Sequence, residues 1–424
     1  MSAASAPLAR LPVSTLAAYG LFGMPLAMAA LPLYVHLPKF YGDYLGVNLT
    51  LLGGVLLALR LADGIIDPLL GILSDRGGAR KRWLLLAAPL LALGMIALFM
   101  PLVRAEAPLI AWLSLSLFIV YVAFSLATIN HQAWGAELSG DPVERTRITA
   151  VREGLALLGV VIAAVLPAFL GGNDGGLGRF AMLFAVFTLA CAAITVAFTP
   201  DTRAAPIASV TSSSIRDLLS RPLADRVFRR LLLVFMLNGI AAAIPATLVL
   251  FFIADVLNSE SQQGTFLALY FVAGAAGMPL WVKLSARIGK PYAWLTAMAL
   301  AIGAFVWASR LGAGDVTAFA IICVLSGIAL GADLALPPSL LADVIGRRGR
   351  MEATGSYFGL WTLATKLNLA LAAGIALPLL SALGYVPGGR DQTALSALAI
   401  VYAFVPCVLK LAACGALVWF ERTQ

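Results

Sequence analysis

Gly71-Ile72-Leu73-Ser74-Asp75-Arg76-Gly77-Gly78-Ala79-Arg80-Lys81-Arg82 separates two long apolar runs, near 45–73 and 83–103. Gly77-Gly78 reads as a turn. Arg76, Arg80, Lys81 and Arg82 crowd a connection too short to be a domain. Two apolar runs of spanning length, joined by a short basic loop, read as transmembrane helices that meet at a cytoplasmic membrane face.

The same pattern repeats outward from this loop. The 424-residue chain is 61% apolar and only 12% charged, against roughly 25% charged in soluble domains. Twelve candidate spans lie near 13–37, 45–73, 83–103, 108–137, 146–171, 179–198, 229–257, 263–285, 291–309, 316–345, 352–383 and 393–419. The expected fold class is therefore an all-α membrane protein with twelve transmembrane helices. The first span is expected to be a retained helix, because no small-residue cleavage pattern follows it.

The net charge of +8 follows topology. With the N-terminus placed in the cytoplasm, 21 of the 29 Lys and Arg fall in inside segments and 5 in outside segments. This bias places both termini inside a cytoplasmic (inner) membrane and leaves no excess that calls for nucleic acid. The four cysteines, Cys191, Cys323, Cys407 and Cys414, fall inside spans without metal-site spacing, and read as small buried hydrophobes. Gly171-Gly172-Asn173-Asp174-Gly175-Gly176 reads as an external turn without the strand–turn–helix context of a nucleotide site.

From about Asp201 to Arg230 the apolar pattern breaks. The expected organisation is a six-helix bundle over 1–200, a cytoplasmic linker over 201–228 and a second six-helix bundle over 229–424. Ile215 to Val227 reads as a short amphipathic surface helix. Leu73-Ser74-Asp75-Arg76-Gly77-Gly78 matches Leu284-Ser285-Ala286-Arg287-Ile288-Gly289, and Asp43-Tyr44-Leu45 matches Asp255-Val256-Leu257. Ala136-Glu137 and Ala342-Asp343 each precede a basic loop. Matches that keep order and spacing point to duplicated halves, the usual architecture of secondary transporters.

Arg60, Asp63 and Asp67 interrupt the second span. Each charge costs roughly 2.5–3.5 kcal/mol in lipid on insertion scales, so their shared helical face must look into a bundle or a wet cavity. Two carboxylates one turn apart, beside a cation, form an oxygen-rich site for Na+ or H+. Any metal ion at Asp63 and Asp67 would be Na+, as a hard cation.

The loop at 71–82 is similar to the signature loop of the major facilitator superfamily. That resemblance implies a conformational latch at Asp75, Arg76 and Arg80. Arg60-Leu61-Ala62-Asp63-Gly64-Ile65-Ile66-Asp67-Pro68 resembles the second helix of the glycoside–pentoside–hexuronide cation symporters, typified by melibiose permease. Gln132-Ala133-Trp134-Gly135-Ala136-Glu137, Glu144-Arg145-Thr146-Arg147, Leu341-Ala342-Asp343-Val344 and Tyr357-Phe358-Gly359, with Lys366 about two turns on, agree with it. The resemblance implies that Asp63 and Asp67 bind the coupling cation, that Arg60 tunes them and that Lys366 links them to conformational change. The family's sugar-gripping acids of helices one and four are replaced here by Gly23-Met24-Pro25 and Asn130. An amphiphile such as a lysolipid is therefore the alternative cargo.

Asp333, in Gly331-Ala332-Asp333-Leu334-Ala335-Leu336-Pro337-Pro338, is an intramembrane carboxylate with three candidate roles: pairing with Lys366, substrate binding or proton transfer. The double proline is expected to break the helix. Asn130, His131 and Trp134 form a polar–aromatic patch suited to a sugar face. Met24, Arg152 and Tyr270 complete the expected substrate cavity, with Asn238 nearby. Arg152 and Glu153 are expected to begin the fifth helix, and Lys410 to snorkel or pair near the cytoplasmic side.

The expected function is cation-coupled symport of a small, sugar-like solute by alternating access. The chain is expected to be a monomer with no organic cofactor. Proton-driven export is the rival on the same fold. A membrane enzyme would need a nucleophile–base pair or a metal cluster, and the two histidines, His36 and His131, are far apart.

Overall fold

In the computed structural model, described residues are 10–170, 176–202, 215–385 and 391–423. The turn at 171–175 and the linker stretch 203–214 lie outside them. All regular elements among the described residues are helical.

The first span is broken where its sequence is rich in Gly and Pro. It comprises α1 (Val13–Leu21), α2 (Gly23–Leu31), a π-turn at Pro32–His36, α3 (Leu37–Lys39) and a second π-turn at Phe40–Tyr44. Then follow α4 (Leu49–Arg76), α5 (Arg80–Phe99), α6 (Glu106–Glu137), α7 (Pro142–Phe169) and α8 (Gly176–Phe198). A short amphipathic α9 (Ile215–Ala224) leads to α10 (Arg226–Phe251). The chain ends with α11 (Gln263–Ile288), α12 (Lys290–Val306), α13 (Val316–Arg347), α14 (Thr354–Ala382) and α15 (Gln392–Arg422).

Among the described residues, ten of the spans are long and apolar enough to cross a bilayer by length and composition alone. The other two are α4 and α7, each 28 residues long. Their ionisable side chains depress their hydropathy: Arg60, Asp63, Asp67, Asp75 and Arg76 in one, Glu144, Arg145, Arg147, Arg152 and Glu153 in the other. The two most charged spans are thus where function is to be sought.

The contacts divide the chain into two compact units, Met1–Leu219 with Ala342–Leu360, and Ser220–Leu341 with Trp361–Gln424. The segment Ala342–Leu360 packs with the first unit because two carboxylates hold it there. Asp75 accepts hydrogen bonds from its backbone, and Asp343 pairs with Arg145 at 3.2 Å.

Within the first unit α2 lies against α7, α5 against α6 and α8, and α4 against α6. Lipid tails are as apolar as Leu, so membrane helices associate through close approach at small residues. Gly159 shows this: a Cβ there would stand 2.3 Å from the Met24 carbonyl oxygen. Gly159→Ala is expected to force α2 and α7 apart and destabilise the protein by about 1–3 kcal/mol. Gly303, in α12, has nothing within 4 Å of its added Cβ, so Gly303→Ala is expected to raise stability slightly. Thermal melting of both variants in the same detergent checks the contrast.

The second unit has an aromatic core. Phe252 stacks on Tyr402 at 4.2 Å, with Phe319 packed beside them. Leu248, Ile244 and Leu398 are fully buried in the same cluster. α13 runs unbroken through Pro337 and Pro338, so the expected break does not occur. Proline removes an N–H but permits helical φ, and neighbouring helices in a membrane support the gap.

Candidate functional site

In the first unit, α4 and α6 pack together and bury the acids of α4. Asp63 is 5% exposed and Asp67 fully buried, one turn further along. Ser125, from α6, donates a hydrogen bond to Asp63 Oδ1 at 3.0 Å. Thr128 follows on the same face of α6; its Oγ1 is buried and has no hydrogen-bond partner among the described residues. Carboxylate and hydroxyl oxygens of this kind are the ligands a hard monovalent cation takes. Arg60, the third member of the sequence pattern, is exposed.

Toward its C-terminal end α4 carries a buried charge network. Arg80, 1% exposed, donates to Asp75 Oδ1 at 3.0 Å and to Glu137 Oε1 at 2.7 Å. It also donates to Ser74 Oγ, which in turn donates to Asn130 Oδ1 at 2.6 Å. Thr202 closes the other side by donating to Glu137 Oε2 at 3.0 Å. Asp75 has a second duty. Its Oδ1 accepts from the Gly355 N–H, and its Oδ2 from the N–H and hydroxyl of Ser356, all at 2.7 Å. A carboxylate at the first turn of α14 caps two of its N–H groups. Arg76 is exposed at the end of α4.

The polar–aromatic patch of α6 is interior packing in this structure. Asn130 Nδ2 donates to the Leu126 carbonyl at 2.8 Å. His131 lies between Tyr19 and Phe22, and its Nε2 is 2.8 Å from the Tyr19 carbonyl. A carbonyl only accepts, so the ring carries a proton on Nε2. Tyr19 returns a hydroxyl bond to the His131 carbonyl at 2.7 Å. Trp134 Nε1 donates to the Pro200 carbonyl at 3.1 Å. Arg152 is buried and paired with Glu153 at 2.6 Å. Both stand about three turns into α7, which begins earlier than expected, at Pro142. Met24 is half-buried, its backbone against Gly159.

The second unit holds a cavity of about 430 Å³, lined by residues of α10, α11, α12, α13, α14 and α15. Tyr270, Asp333 and Asn238 all line it. The partner of Asp333 is Lys410, not the Lys366 considered from sequence: Lys410 Nζ lies 2.8 Å from Asp333 Oδ2 and donates to Asn238 Oδ1 at 2.7 Å. Trp294 Nε1 donates to Asp333 Oδ1 at 2.8 Å. Lys366 is half-buried on α14 in this unit. Sequence reading did not find Ser125, Thr128 or Trp294, and left Lys410 without a partner. The available signal was an Asp and a Lys within the apolar tenth and twelfth spans.

Buried acids on two spans, a capped basic loop and a cavity within a helical bundle are the equipment of a carrier. The profile of the family described as MFS/sugar transport protein matches residues 16–423. The chain belongs to this family. It is a multi-pass membrane transporter of the major facilitator fold, with twelve transmembrane helices in two six-helix halves, and not an enzyme. The isoprimeverose transporter of Lactiplantibacillus pentosus is 23% identical over 391 residues, covering 88% of this chain and 81% of that one. The putative sulfoquinovose importer of Escherichia coli (strain K12) is 26% identical over 403 residues, covering 89% and 84%. Among solved structures, a bacterial homologue of the iron transporter ferroportin in an outward-facing state superposes with a TM-score of 0.69 at 17% identity, covering 97% of this chain and all of that one. The E. coli fucose:proton symporter gives 0.66 at 15%, covering 95% and 98%. At these identities the structural likeness shows the fold.

Proposed function

We propose that this member of the family carries out cation-coupled symport of a small, sugar- or glycoside-like solute across the inner membrane by alternating access. The observation that supports this most is the buried pair Asp63 and Asp67 on α4, with the Ser125 hydroxyl donating to Asp63. Ionisable groups buried within membrane spans mark ion pathways and proton relays. The relatives at 23% and 26% identity are named as an isoprimeverose transporter and a putative sulfoquinovose importer, which supports a sugar-like cargo.

In this reading Asp63 and Asp67 hold Na+ or H+, Arg60 tunes their field and Lys366 relays their occupancy to the second half. Asp75, Arg76 and Arg80 latch the cytoplasmic loop. Tyr270 and Asp333 belong to the cargo cavity of the second unit; Asn130, His131, Trp134, Met24 and Arg152 shape the helix packing of the first. The protein acts as a monomer with both termini in the cytoplasm. An apolar cavity wall favours a second cargo reading, an amphiphile such as a lysolipid.

Reconstituted vesicles test the proposal. Radiolabelled pentosides and hexosides are expected to accumulate only when an inward Na+ or H+ gradient is imposed, and to equilibrate when it is collapsed. Accumulation indifferent to both gradients, or extrusion driven by an inward proton gradient, overturns symport. Uptake of lysolipid with no sugar flux moves the cargo to the amphiphile class.

A further inference from the structure

We propose that the cavity of the second unit is a subsite for an apolar, preferably aromatic, substituent on the transported glycoside, with Asn368 as its hydrogen-bond acceptor. This rests on the symport reading and adds a substrate class to it.

The walls are the first argument. Phe235, Phe266, Phe271, Phe305, Phe319 and Tyr402 surround the space, separated by small residues of α10 and α13. At about 430 Å³ it falls within the roughly 300–1,000 Å³ of small-molecule sites. A bare sugar ring presents hydroxyls on nearly every carbon, and walls of this kind would leave most of them unpaired, at roughly 1–3 kcal/mol each. An aromatic or branched aliphatic group loses nothing there and gains offset ring contacts.

The floor is the second argument. Asp333 and Lys410 lie 2.8 Å apart, and their remaining polar contacts go to Trp294 and Asn238. The pair is internally neutral, so the cavity offers no net charge to compensate a charged guest. The hydroxyls of Ser326 and Thr365 are spent on the carbonyls of Ile322 and Trp361 in their own helices. A guest meeting this floor must be uncharged.

Asn368 is the third and independent argument. Its side chain is 5% exposed, lines the cavity and has an Oδ1 with no hydrogen-bond partner among the described residues. Buried amide oxygens are rarely left unmatched without a functional reason. The position is built for it: a Cβ on Gly239 would stand 1.9 Å from Asn368 Nδ2, so only glycine at that turn of α10 lets the amide lie there. A hydroxyl on the apolar substituent satisfies the open oxygen.

The test is calorimetric binding to the full-length protein in lipid nanodiscs, with the coupling cation present. Methyl, phenyl and hydroxyphenyl glycosides of xylose, glucose and galactose are compared. Phenyl glycosides are expected to bind about tenfold tighter than methyl glycosides of the same sugar. At least one hydroxyphenyl isomer is expected to bind tighter still. Ala242→Phe, which fills the cavity wall, brings the phenyl-to-methyl ratio to about one. Asn368→Leu removes only the hydroxyl's added gain. Equal affinity of phenyl and methyl glycosides in the wild-type protein overturns the subsite, as does an aromatic advantage that survives Ala242→Phe. If methyl glycosides bind in a cation-dependent way without an aromatic advantage, symport stands and the subsite falls. If no glycoside binds at all, both fall.

Discussion

Asp63→Asn and Asp67→Asn are each expected to reduce cation-driven solute accumulation to the level of empty vesicles. The reason lies in what asparagine keeps and what it loses. It keeps the volume and one carbonyl oxygen, so the α4–α6 packing around a 5% exposed Asp63 and a fully buried Asp67 survives. It loses the charge, and with it both the proton-binding group and most of the attraction for a hard cation. The variants are therefore expected to purify and melt like the parent protein. Counterflow of solute down its own gradient separates coupling from cargo binding: it persists if only the cation site is lost. Concentrative uptake at the parental rate in both variants removes the cation assignment from α4.

The second large effect concerns stability. Arg80→Ala leaves Asp75 and Glu137 buried without the guanidinium that both contact, at 3.0 and 2.7 Å. Removing one partner of a buried ionic cluster costs about 3–5 kcal/mol, because the orphaned charge keeps its desolvation penalty. The melting temperature of the purified variant should fall well below that of the parent. Arg80→Lys recovers only part, since an ammonium cannot reproduce the forked contacts to Asp75, Glu137 and Ser74. Arg76→Ala, at an exposed position four residues away, is expected to stay within about 0.5 kcal/mol of the parent. Equal losses at Arg76 and Arg80 contradict the network as the source of stability.

The fold was largely legible because hydropathy is a one-dimensional signal. Spanning length, the basic loop at 71–82 and the charge bias between alternate loops need no knowledge of contacts. The site was legible only where a charge stood out against an apolar background, as at Asp63, Asp67, Asp333 and Lys410. Partnership was not. Asp333 and Lys410 are 77 positions apart on different helices, and either of two lysines satisfied the same reasoning. The Asn130–Trp134 patch illustrates the other limit. A cavity wall and a polar seam between helices use the same side chains, and only contacts with Tyr19, Ser74 and Pro200 tell them apart. Hydroxyls are least legible of all, since Ser326 bonds its own helix whereas Ser125 reaches across to Asp63. At Pro337 and Pro338 a rule drawn from soluble helices anticipated a break that packing in a membrane bundle does not require.

The cap that Asp75 places on α14 spans 280 positions of sequence, and this bears on how the protein is made. At about 5–20 residues per second, the ribosome delivers Gly355 roughly 15–55 s after Asp75 has entered the membrane. Through that interval Arg80, five residues on, is at hand to donate to Oδ1, whereas the donors of Gly355 and Ser356 have yet to be made. The N–H groups of Gly355 and Ser356, in turn, emerge long after the carboxylate that receives them. Maturation of this transporter thus has a late step, in which a segment from the far end of the chain completes a bundle begun roughly 15–55 s earlier.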